Sequence, residues 1–92
     1  MNDNRNLYET DALPLAAWLM TKGHLPTGVN REGHLVSWSF RQSDGLNDDI
    51  YTYEQGEPVD NVRTYESARQ ILYKSINRPE ELTILTRGFA RR

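Results

Sequence analysis

The sequence predicts a small, single-domain α+β fold on three observations. Residues 12–20 are apolar at every position but Pro14, and this stretch passes through Gly23 straight into two strand-like segments. Two further amphipathic segments follow, both with helical spacing of their apolar residues. The chain is 92 residues long. At that length it buries only roughly 60–65% of its unfolded surface, which allows one core and a thin margin of stability that oligomerisation would widen.

The first helix has Thr10 or Asp11 as candidate caps, and Pro14 falls in its first turn, where a missing N–H costs little. Leu13, Leu15, Ala16, Ala17, Trp18, Leu19 and Met20 leave it without a polar face, so it is expected to touch two surfaces: its own sheet, and either the C-terminal helix or another subunit. Gly23 reads as the residue that ends it. Residues 25–30 and 34–41 then read as an antiparallel hairpin turning across Asn30, Arg31, Glu32 and Gly33. In the second strand Val36, Trp38 and Phe40 alternate with Ser37 and Ser39, which predicts one aromatic face and one of small hydroxyls. Pro26 and Gly28 place the first strand at an edge or a bulge, and an edge invites a second molecule.

Leu46, Ile50 and Tyr53 give residues 44–57 one apolar side, with acids near the start and Gly56, Glu57 and Pro58 at the end. Asp60 is expected to cap a longer helix over residues 61–77, whose stripe is Tyr65, Ala68, Leu72 and Ile76, flanked by Val62 and Ile71. The last segment supports two readings. Leu82, Leu85 and Phe89 have helical spacing, while Leu82, Ile84 and the flanking threonines suit a strand. A short ordered extension beyond a core of about residues 8–77, ending in a loose basic tail, is the expectation. No internal repeat or low-complexity tract indicates a second domain.

The net charge of −2 hides an asymmetry. Residues 1–43 carry four bases and four acids, residues 44–60 six acids and no base, and residues 61–92 seven bases and three acids. That polarity suits contact with an anion or head-to-tail packing of subunits, and it argues against coating duplex DNA by charge. There are no cysteines. Disulfides and thiolate zinc are thereby excluded, and with a polar N-terminus and no long apolar run the chain is expected to be cytoplasmic and not membrane-bound.

No catalytic pattern is present. The two histidines, His24 and His34, flank the hairpin some 15 Å apart by strand rise, which does not suit a shared metal. Asp48 and Asp49 point about 100° apart on a helix and read as compensation for its N-terminal dipole. The glycines follow neither G-x-G-x-x-G nor the P-loop pattern. No cofactor is expected.

Three sets of residues have binding chemistry. Tyr65, Arg69 and Tyr73 recur every four residues on the long helix, with Arg63 and Arg78 nearby. Tyrosine faces stack on bases and arginine forks match phosphate oxygens, although the same residues also make an intrahelical cation–π ladder with Tyr65 partly in the core. Arg87, Phe89 and Arg91 form a basic C-terminal stretch with one aromatic, able to fold over an anion or to serve as a solubilising tail. Ser37, Ser39 and Arg41 would line a polar surface if a second subunit covered the hairpin, and otherwise face solvent.

The order of elements, with the words TDALPLAAWLMTKGH, GVNREGHLVSWSF and LNDDIYTYEQGEPVDNVRTYESARQILYKS, resembles a family of small phage- and bacterium-encoded domains of unassigned function. The likeness covers about residues 8–76. It lies in an L-A-A-x-L-x-x-x-G opening, an aromatic-ended second strand, a Y-x-x-G-x-x-V-D linker at Tyr53, Gly56, Val59 and Asp60, and an R-x-x-x-x-x-R helix at Arg63 and Arg69. Residues 78–92 look like an addition. The resemblance implies a phage setting, hence the host cytoplasm, and by analogy of size and setting a counter-defence role such as a cyclic-nucleotide sponge.

Three functions are therefore expected in descending order. The first is a non-catalytic homo-oligomer sequestering an anionic nucleotide in an interface pocket lined by Arg and Tyr. The second is an inhibitor of a host protein through the acidic surface of residues 44–60. The third is a single-stranded nucleic-acid accessory protein using Trp38, Tyr73 and the basic tail.

Overall fold

A computed structural model describes residues 6–56 and 61–90. Their elements run β1 (Leu7–Thr10), α1 (Leu13–Thr21), β2 (Pro26–Glu32), β3 (Leu35–Arg41), α2 (Asp44–Glu54), α3 (Val62–Asn77) and α4 (Leu82–Ala90), with a 3₁₀ turn at Pro79–Glu81 before α4. This is the expected α+β architecture. The sheet is antiparallel in the order β1-β3-β2, so β3 is its central strand.

Six consecutive residues of α1, Leu15 to Met20, are buried. The reason is a partner on each side: α1 lies against α3 and α2, and its side chains share one core with Trp38 and Phe40 of the sheet. The second surface anticipated for this helix is therefore supplied within the chain, chiefly by α3. Its N-cap is Ala12 and not Thr10 or Asp11; the Thr10 hydroxyl accepts the Ala12 N–H at 3.1 Å. At the other end Gly23 sits at φ +96° and donates to Met20 O, while His24 N donates to Leu19 O. That bond pair is a Schellman closure, and its left-handed residue is nearly free of strain only as glycine.

The hairpin turn is tighter than the spacing implied. Glu32 pairs with Leu35, so Gly33 and His34 alone form the turn, with Gly33 at φ +64° and His34 at negative φ. Those signs are those of a type II′ turn, which matches the twist of the strands. β2 is an edge strand with a bulge between Pro26 and Gly28, as its proline and glycine require.

Ser43 caps α2 by accepting the Leu46 N–H, and Leu46 is fully buried. The tilted contact of Tyr53 with Trp18, centroids 5.5 Å apart, joins α2 to α1. On α3 the cap is Asn61, whose side-chain oxygen accepts the Thr64 N–H; the expected cap, Asp60, lies outside the described residues. Ala68, Leu72 and Ser75 are its buried positions, and Val62 is largely exposed. Arg31 reaches from β2 to Ile76 O at 3.4 Å, placing a cation where the last turn of α3 carries negative dipole charge.

Residues 82–90 are helical, the first of the two readings of the ordered extension, and the helix runs on through Arg87 to Ala90 where a loose end was expected. α4 turns Leu82, Thr86 and Phe89 inward, and Phe89 is a member of the core, so this segment completes the body of the domain. Among the described residues no helix is long and apolar enough to cross a membrane.

Candidate binding surface

α1, α3 and α4 contact one side of the sheet, and α2 joins the same core through Leu46 and its packing on α1. β3 shows the consequence most plainly, because Trp38 and Phe40 are buried on that side while Leu35 and Arg41 are exposed on the other. Register places Leu7 beside Arg41, Glu9 and Gly28 beside Ser39, Asn30 beside Ser37, and Glu32 beside Leu35 on this outer face. No described element covers it.

A concavity of about 690 Å³ opens on this face, lined by residues that include Glu9, Asp11, Asn30, Glu32, Leu35 and Ser37. A second depression continues it along Leu7, Thr27, Gly28 and Ser39. Together they form a trough along the strands. Asn30 spans it, donating from Nδ2 to the Glu9 carboxylate and to Ser39 Oγ at 3.3 Å. This bridge between the two edge strands explains why Ser39 is only 5% exposed on a face that is otherwise open. Thr27 Oγ1 also donates to Ser39 O at 3.3 Å, stitching the bulged end of β2 to the central strand.

The trough is acidic. Glu9, Asp11 and Glu32 line it; Arg31 lines it too, with its guanidinium donating to Ile76 O at the end of α3. Arg41 stands at the far end beside Leu7. Ser37, Ser39 and Arg41 thus share a face as anticipated, but with a bridged serine and an acidic setting that the alternating pattern of β3 alone did not reveal.

The residues expected on α3 form a separate surface on the helical side. Tyr65 packs against the core, and burial raises its phenol pKa above the ordinary value, with Arg69 acting in the opposite direction. The Arg69 guanidinium stands 5.9 Å from the Tyr73 ring and 3.5 Å from the Glu66 carboxylate. Its pKa is raised by the Tyr73 side chain, against an opposing effect of burial, so it is a permanent cation. Its Nε is enclosed without an acceptor among the described residues. Tyr73 keeps about half its surface exposed. Arg63 lies about 120° round the helix from Arg69 and does not join the column. Arg78 is paired with Glu81 at 3.5 Å.

Arg87 is exposed on α4, but Phe89 is buried in the core and offers no stacking face; Arg91 lies outside the described residues. Trp38 is likewise unavailable for stacking, because it is buried and its indole N–H donates to Ser75 Oγ at 3.0 Å. The residues proposed from sequence therefore divide between two faces on opposite sides of the sheet.

One pairing had no sequence signal. His24, at the end of α1, places Nε2 2.6 Å from Asp49 Oδ2 on α2. Asp49 is thus a tie between two elements, and the acid in the first turn of α2 is Asp44. The two residues are 25 positions apart with no periodic relation. His34, in the turn, is exposed. The other ring nitrogen of His24 has no hydrogen bond among the described residues. No group of three or more His, Asp or Glu side chains among the described residues is arranged to hold a metal.

No protein-family model, no curated protein and no solved structure matches this chain.

Proposed function

We propose that the chain is a non-catalytic binding domain that takes a basic protein segment on the outer face of its sheet. The observation that supports this reading is the sign of the trough: three carboxylates line it, while of its two bases Arg31 donates to the end of α3 and Arg41 stands at the far end. An anionic nucleotide would meet repulsion there, whereas Lys or Arg side chains find charge-assisted acceptors beside the exposed Leu35. α2 adds a second acidic surface, with Asp44, Asp48 and Glu54 exposed. A host protein as partner, and a counter-defence setting in a host cytoplasm, agree with the resemblance to small phage-encoded domains.

A nucleotide-sequestering oligomer is the second reading, and the Arg69–Tyr73 ledge favours it. A half-exposed ring beside a permanent cation offers stacking and phosphate contact together. With Ser37, Ser39 and Arg41 on the other side of the sheet, one nucleotide reaches both sets only between two copies.

Amide chemical-shift mapping separates the two. An arginine-rich peptide should shift resonances of Glu9, Asn30, Glu32, Leu35 and Ser37 in low salt, and Glu32→Lys should weaken the effect. Linear and cyclic nucleotides should leave those residues unmoved. Shifts and a raised Tm with a nucleotide, centred on Arg69 and Tyr73, would replace the first reading with the second.

A further inference from the structure

The outward face of α4 offers the acidic trough one base and one apolar side chain at a matching spacing. α4 itself contains no acid, and its exposed side carries Ile84, 69% exposed, one turn before Arg87; of the two acids in the 3₁₀ turn that precedes it, Glu81 is paired with Arg78 and Glu80 is exposed. On the sheet, Leu35 is 65% exposed and sits directly across from Glu32. Side chains three apart on a helix are about 5–6 Å apart. Side chains directly opposed across antiparallel strands are about 4.5–5.5 Å apart. A helix laid on the face can therefore set Ile84 on Leu35 while Arg87 meets Glu32.

Tyr51 and Tyr73, the exposed aromatic side chains, lack this match. Tyr51 stands on acidic α2, and on α3 Tyr73 has Arg69 and its ion-pair partner Glu66 as neighbours. Within one chain the contact is impossible, because α4 packs Leu82 and Phe89 on the helical side of the same sheet.

Resting on the reading of the trough as a site for basic segments, we infer that its occupant is α4 of a second copy of this chain. The pairing is heterologous: each copy presents a trough and a helix, and neither face is used up by the other. Such contacts extend into rings or open chains. They are also weak singly. Two strands of seven residues and one of four span at most roughly 14 by 23 Å, well below the ~800 Å² per partner of a stable interface.

Sedimentation velocity on the full chain at millimolar concentration and low salt tests this, with folding of each variant checked by circular dichroism. The wild type should grow in mass past a dimer as concentration rises, and should return to monomer in high salt. Glu32→Lys and Arg87→Glu, each alone, should lose association. An equimolar mixture of the two should associate past a 1:1 pair, since the intact helix of one meets the intact trough of the other and the reversed trough meets the reversed helix, and the double variant should associate again for the same reason. A wild-type monomer at millimolar concentration, or a mixture no heavier than its components, overturns the inference. If the arginine-rich peptide still shifts the trough in that case, only self-pairing falls; if it does not, the trough reading falls as well.

Discussion

The two faces of β3 differ in what they contribute, although their residues alternate along one strand. Inward, Trp38 and Phe40 join Trp18, Leu19, Met20, Leu46 and Leu72 in a closed core. Outward, Leu35, Ser37 and Arg41 contact no covering element, and Ser39 is shielded only by the Asn30–Glu9 bridge. Stability is concentrated on one side, which leaves the other free to vary with a partner at little cost to the fold.

The sharpest test of that division is a pair of substitutions five positions apart. Phe40→Ala opens a cavity at a fully buried site and should cost about 3–5 kcal/mol, a large part of the stability of a domain this small. Leu35→Ser should change stability by no more than about 0.5 kcal/mol, while weakening the shift of the trough by basic peptide. Urea denaturation reads both. A Leu35→Ser variant as unstable as Phe40→Ala would erase the distinction between the faces.

A smaller effect probes the polar contact inside the core. Ser75 Oγ accepts from the Trp38 indole and donates to Leu72 O at 2.6 Å, both within buried surroundings. Ser75→Ala leaves the indole N–H buried without its acceptor and should cost about 1–3 kcal/mol. Adding Trp38→Phe removes the orphaned donor, so the double variant should be less destabilised than the two single costs summed.

The smallest expected effect comes from Tyr65. Its pKa is raised in the folded state, so the unfolded chain gives up this proton first as pH rises. Stability is therefore full below the ordinary tyrosine value, near 10, and declines above it. Tyr65→Phe should flatten that alkaline limb in melts taken across the range, and an unchanged slope would show that Tyr65 does not carry it.

The parts of this fold legible in the sequence are those written in local periodicity. α1, the hairpin, α2 and α3 all announce themselves through runs or spacings of apolar residues, and Gly23 marks its Schellman closure. β1 does not, because Leu-Tyr-Glu-Thr is too short to establish alternation and becomes a strand only by pairing with β3. For α4, the threonines and Ile84 compete with helical spacing, and the burial of Phe89 against distant elements decides the matter. The site was less legible still. Ser37, Ser39 and Arg41 were recognisable as one face, but Glu9 arrives on the strand that could not be read. The Asn30–Glu9 and His24–Asp49 contacts join residues 21 and 25 positions apart, beyond any short-range pattern.

The late arrival of β1 has a consequence for the order in which the molecule assembles. Glu32 and Leu35 are three positions apart (35 − 32), so the hairpin zips from its turn, whereas Leu7 meets Arg41 across thirty-four (41 − 7). Closing that longer span carries a greater entropic cost, repaid by only four residue pairs. β1 should thus dock after the hairpin and detach before it, with β3 amides bonded to β1 exchanging hydrogen sooner than those bonded to β2. Because β1 brings Glu9, the trough exists only once this last strand is in place, and its occupancy becomes a report that folding has finished.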